Sequence, residues 1–139
     1  MARRKNGRKN WKSFLLPKPN RKKEREEKRL ATRLRRRSFS EAVRERDGER
    51  CQNPRCPNKG KLVAVSPHHI MGKRASIPEL DDPENGICLC ELNCHPKAQG
   101  DTNFMIAILE SKEHDPGFCH ADALEYLRAR RDRRDLSSL

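Results

Sequence analysis

Six cysteines and five histidines stand in a chain of 139 residues, and most of them fall in one stretch. Cys51-x4-Cys56 lies in the turn-rich segment CQNPRCPNKG, and Cys90-x3-Cys94 closes a second turn after the run GICLC. Two short-spaced pairs on either side of a strand–loop–strand suit a tetrahedral zinc held by four thiolates. Cys88 competes with Cys90, because the two alternate onto the same face of one strand. Cys90 is the better choice, since Cys90 and Cys94 bracket a turn that brings both thiolates to one metal. Cys119 has no cysteine near it in sequence and is expected to be unliganded.

Between the pairs stand His68 and His69, then Asn85, and His95 follows Cys94 directly. Adjacent residues on a strand point to opposite faces, so the two histidines cannot easily share a metal. They suit a division of labour, with His68 as ligand and His69 as base. His95, at the start of a helix, can face the hairpin. His68 and His95 would then hold one divalent cation whose remaining positions stay open to water and phosphate oxygens. An imidazole off the metal titrates near neutrality, as a general base should.

These side chains need elements to hold them. GICLC (86–90) reads as a strand, and KLVAVS (61–66) as a second one, rich in β-branched residues. Residues 71–84, with glycine, prolines and acids, read as a long loop. Pro96 suits the first turn of a helix, where its missing N–H costs nothing. Two more helices are predicted over 102–112 and 121–134, the second with Ala123, Leu124 and Leu127 on one face and arginines beyond. Residues 21–37 are almost wholly charged and read as an exposed helix. Ser38 and Glu41 fit a capping box that opens a separate short helix, which Asp47-Gly48 ends.

Composition narrows the class. Hydrophobic residues make up 33% and charged residues 37% of the chain, so its core must be small and in need of a staple. There is no apolar run of membrane-spanning length and no secretory pattern, which predicts a cytoplasmic, reducing compartment and favours metal over disulfides. Residues 1–50 carry 20 Lys and Arg against 7 Asp and Glu, whereas residues 51–139 carry 12 against 13. The basicity thus belongs to an arm, whose expected partner is a polyanion such as DNA. The predicted organisation is a basic arm over 1–37 and a domain over 38–139, with its core at 50–100 and helices after it. Arg35, Arg36, Arg37, Lys73 and Arg74 are the expected DNA contacts.

Cys51, Cys56, His68-His69-Ile70, DPEN (82–85), ICLC and Cys94-His95, taken in this order, resemble the HNH nucleases, over about residues 40–100. The resemblance implies a small α+β fold, a ββα-metal core stapled by structural zinc. It further implies a DNA endonuclease in which His68 and His95 hold the catalytic cation and His69 activates water. Asn85 would hold the loop between the strands and orient the catalytic backbone. Where many members carry a further histidine, four residues after His95, this chain has Gln99, which leaves His114 and His120 as substitutes. Imidazole ligands admit Mg²⁺, Mn²⁺, Ni²⁺ or Zn²⁺. Phage-like members with four zinc cysteines suggest DNA packaging or recombination proteins as partners. The competing reading is a zinc-stabilised module that binds nucleic acid without cleaving it.

Overall fold

The computed structural model describes residues 17–72 and 78–138. The chain divides into two compact units, Met1–Arg33 and Leu34–Leu139. The described part of the first is exposed almost throughout, with too few apolar residues to build a core. The second is a small α+β body whose elements position every cysteine and histidine singled out above. None of the described helices is long and apolar enough to cross a membrane.

Helix α1 spans Arg21–Asp47 without the break predicted at Ser38. Glu41 does not turn back to a cap; it pairs with Arg37 at 3.0 Å. The reason lies outside the local sequence. Phe39 and Val43, one turn apart, are buried with Cys88 in a small apolar cluster, and that anchor carries the helix through Ser38. The end at Asp47 is as expected, since Gly48 takes φ 63° and leaves the helix.

Strands β1 (Val65–His69) and β2 (Gly86–Cys90) pair antiparallel, with His69 opposite Gly86, His68 opposite Ile87 and Val65 opposite Cys90. The second strand lies where GICLC predicts it. The first is displaced toward the histidines: residues 61–64 stay irregular, and Pro67 sits mid-strand. Pro67 lies opposite Cys88. The Cys88 N–H and C=O point away from β1, to Asp47 Oδ2 and the Gln52 N–H at 2.9 Å each. The missing proline N–H therefore removes no ladder bond.

Helices α2 (Cys94–Gly100), α3 (Thr102–Glu110) and α4 (Ala121–Ser137) follow, close to the predicted bounds. Asp101 caps α3 by accepting the Phe104 N–H at 3.0 Å. Ile87, Leu89, Met105, Leu109, Leu124 and Leu127 make the main core between β2 and these helices. Arg128 of α4 reaches back to Glu110 and Glu113, at 3.2 and 3.1 Å.

Strand β2 is buried at all five positions, and α1 approaches it where it has no side chain. A Cβ on Gly86 would fall 2.6 and 2.7 Å from the Phe39 ring, and closer still to Val43 Cγ2. Both neighbours are themselves fixed in the core. Gly86→Ala should therefore cost about 3 kcal/mol by overpacking, read as a lower midpoint in urea unfolding with an unchanged slope.

Candidate functional site

The turn after Asp47 carries Cys51 and Cys56 beneath the end of β2, where Cys90 stands, and Cys94 opens α2 one turn later. Their four Sγ atoms lie within 4.8 Å of one another, and among the described residues they are the one group of three or more ligands able to hold a metal ion. All are free thiols. The Cys56 and Cys90 sulfurs are 3.6 Å apart, too far for a disulfide.

The surroundings suit thiolates. The Cys94 N–H donates to Cys90 Sγ at 3.3 Å and the Asn58 N–H to Cys56 Sγ at 3.4 Å. Asn53, a buried polar residue, turns its amide to Cys94 Sγ at 3.4 Å. Such N–H donors orient thiolate ligands and stabilise their charge. Burial pushes the Cys56 thiol up to about 12. Burial also pushes Cys90 upward, but donation from the Cys94 and Asn93 amides and from neighbouring thiols brings it down to about 7. Cys90 is thus predisposed to the thiolate form, and a metal would displace the remaining protons. An all-sulfur tetrahedral set can hold a metal such as zinc.

Cys88 does not join this cluster. Its sulfur lies 3.8 Å from the Val43 carbonyl, on the α1 side of the strand. The two strand neighbours two residues apart separate because Cys90 sits where β2 turns toward α2. Cys119 is likewise unliganded, 3.5 Å from the Arg46 guanidinium.

His68 turns from β1 toward α2, where its ring meets that of His95 edge to face, with centroids 5.2 Å apart. Burial, then the nearby His95 and His69 rings, lower the His68 pKa to about 4. Its ring is therefore neutral at neutral pH. Among the described residues no third histidine, cysteine or carboxylate completes a set with this pair. His120 is engaged elsewhere, where its Nδ1 donates to the Glu84 carbonyl at 2.6 Å from beneath α4.

His69 points the other way. Its ring stacks on Phe39, with centroids 4.2 Å apart and planes 10° from parallel, and its Nε2 lies 3.2 Å from Asp81 Oδ1. Asp81 ends a short 3-10 turn, Pro78–Asp81. Sequence reasoning missed it: in PELDDPEN no spacing separates Asp81 from Glu79, Asp82 or Glu84.

Asn85 ends the next turn, Pro83–Asn85, and is 2% exposed. Its Oδ1 accepts the Met71 N–H at 2.7 Å, and its Nδ2 donates to the Leu80 and Met71 carbonyls at 2.8 and 3.2 Å. The Ile70 N–H reaches the Asn85 carbonyl at 2.8 Å. One side chain thus ties the chain leaving β1 to the chain entering β2. Arg46 grips the same loop from α1, donating to the Pro83 and Gly86 carbonyls at 2.7 and 2.5 Å. Asn85→Ala would strand a buried N–H and two carbonyls, and should lower stability by about 3 kcal/mol, measurable by chemical unfolding. Asn85→Asp, which sets a buried carboxylate oxygen against the Leu80 and Met71 carbonyls, should destabilise at least as much.

Of the expected DNA contacts, Arg35, Arg36 and Arg37 lie exposed on α1. The Arg35 Nε is 3.9 Å from Asp81 Oδ2, and Arg37 is engaged by Glu41. Lys73 and Arg74 fall outside the described residues. No family model, curated protein or solved structure matches this chain.

Proposed function

We propose that the protein is a metal-dependent endonuclease of the HNH type, with β1, β2 and α2 as its ββα-metal core, hydrolysing DNA phosphodiester bonds. The observation that carries this reading is the His68–His95 pair. Two imidazoles from different elements meet edge to face, one of them held neutral, beside a strand whose next residue is a third histidine. A buried core has no use for that arrangement. A divalent cation bound there would supply charge to the phosphoryl oxygens and the leaving oxygen.

The chain's own residues supply the rest. His69 takes the proton of the attacking water. Asp81, hydrogen-bonded to its Nε2, fixes the ring and favours the imidazolium formed when it takes that proton. Phe39 holds the ring plane by stacking. Asn85 and Arg46 fix the loop that carries Asp81 toward it. A metal such as zinc, held by Cys51, Cys56, Cys90 and Cys94, would fix the far end of β2 and with it the register that sets His68 against α2. The basic arm adds affinity for the phosphate backbone without reading sequence. One site per chain makes nicking the expected outcome, and a role in phage DNA packaging or recombination would fit a small nicking enzyme.

The test is incubation of supercoiled plasmid with the protein and Mg²⁺, Mn²⁺, Ni²⁺ or EDTA. Open circles should accumulate with at least one cation, and not with EDTA or with His68→Ala or His95→Ala. Plasmid that is bound but never cut, with any of the cations, would leave a zinc-stabilised binding module.

A further inference from the structure

The near-neutral balance of residues 51–139 hides a segregation of charge. Glu79, Asp81, Asp82 and Glu84 gather in the loop before β2, while Arg128, Arg130, Arg131, Arg133 and Arg134 gather on α4. All five basic residues of that helix are arginine. Two are accounted for by the fold. Arg128 binds Glu110 and Glu113, and Arg131 lies 3.5 Å from Asp132. Among the described residues, the side chains of Arg130, Arg133 and Arg134 have neither an ion pair nor a hydrogen bond.

These three share a face. With Tyr126, Ser137 and Ser138 they line a shallow depression of about 540 Å³ that contains no carboxylate. In the neighbouring depression, across Arg134, Asp101 and Asp135 offset the charges of Arg131 and Arg134. Cations near a helix C-terminus also complement its dipole, but that effect is confined to the last turn. It accounts for Arg134 and leaves Arg130 and Arg133 unexplained. Guanidiniums one turn apart stand about 5.4 Å along the axis, so each can take a different phosphate of one strand. Arginine rather than lysine fits phosphate bidentately.

We propose that this face of α4, formed by Tyr126, Arg130, Arg133 and Arg134, is a second phosphate-contact surface for duplex DNA, built into the body of the protein and distinct in sequence from the arm. The identity of the polyanion rests on the nuclease reading; the surface itself does not depend on cleavage.

The test is a titration of labelled duplex DNA with the full zinc-loaded chain, at several salt concentrations and without added divalent cation. Arg130→Gln, Arg133→Gln and Arg134→Gln together should make the slope of log K against log salt shallower by about 2.7, since each phosphate contact contributes about 0.9. Arg133→Gln alone should remove about 0.9. A control triple of equal charge on the cysteine-bearing loop, Arg50→Gln with Lys59→Gln and Lys61→Gln, should change the slope less. Thermal melts and zinc content should stay as in the parent chain. An unchanged slope in the α4 variants overturns the proposal and makes an acidic protein the better occupant. An equal change in the control also overturns it, because net charge alone would then explain the effect. Failure of the nuclease reading shows separately, as plasmid that stays supercoiled while the slopes still differ.

Discussion

Cys90→Ser should release the metal and unfold the Leu34–Leu139 unit, whereas Cys88→Ser should lower stability by only about 1–2 kcal/mol. Both sulfurs are fully buried on one strand, two residues apart, so burial alone predicts similar losses. Their partners differ. Cys90 Sγ has Cys56 Sγ at 3.6 Å and lies in the four-sulfur cluster. Cys88 Sγ meets the Val43 carbonyl and the Asp47 side chain at the end of α1 and no other sulfur, and a serine hydroxyl there keeps the carbonyl of Val43 as an acceptor. A structural zinc contributes about 10–16 kcal/mol of apparent binding free energy, as much as the whole stability of a typical domain. Losing one of four thiolates removes most of that. Metal analysis and circular dichroism of the two variants decide it: folded, metal-loaded Cys90→Ser protein would show that the cluster does not hold the fold together.

The choice between these cysteines shows what the sequence could and could not reveal. The spacing of Cys51, Cys56 and Cys94 was legible because short-spaced ligands come from one turn, and a turn is local chemistry. Strand β2 was legible for the same reason, as GICLC is short, apolar and bounded by turn residues. Strand β1 was misplaced because its β-branched residues lie at 63 and 65, while its pairing is bracketed by the Glu91 N–H on the Ala64 carbonyl and the Ile70 N–H on the Asn85 carbonyl. The cap at Ser38 failed because Phe39 and Val43 found a partner 40-odd residues away, and tertiary burial outweighed a local hydrogen bond. Asp81, Arg46 and the part His120 plays at the Glu84 carbonyl, where the sequence offered it only as a substitute metal ligand, were invisible for a related reason. Each acts across the fold on a backbone or ring that only the folded chain brings near, and a lone aspartate, arginine or histidine in sequence carries no such address.

His69→Ala should lower the rate of plasmid nicking by about 10²–10⁴-fold, the usual worth of a positioned general base, while DNA affinity and metal content stay unchanged. The ring also stacks on Phe39, so a loss of about 1 kcal/mol in stability accompanies the change and must be separated from it. Asp81→Asn provides the separation. It keeps the shape and an acceptor oxygen 3.2 Å from Nε2 but removes the charge that favours the imidazolium formed during the step. Its rate should fall between the parent and His69→Ala, with no loss of stability beyond a few tenths of a kcal/mol. Single-turnover cleavage at saturating DNA, with a melt of each variant, tests both. His69→Ala protein within a few-fold of the parent rate would remove His69 from the chemistry.

The outer rim of β2 has a bearing on how the chain behaves in crowded solution. A two-stranded ribbon leaves unpaired amides along its flank, a template onto which another chain can add and start to aggregate. Here those groups are already occupied. Arg46 takes the carbonyl of Gly86, Asp47 takes the N–H of Cys88, and the Gln52 amide takes its carbonyl. The adjoining residues Arg46 and Asp47, at the end of one helix, therefore close the flank of a hydrophobic strand that would otherwise be among the stickiest segments of the molecule. A chain caught before α1 has docked would expose GICLC with its flank open, so self-association during synthesis should depend on how quickly that helix end arrives.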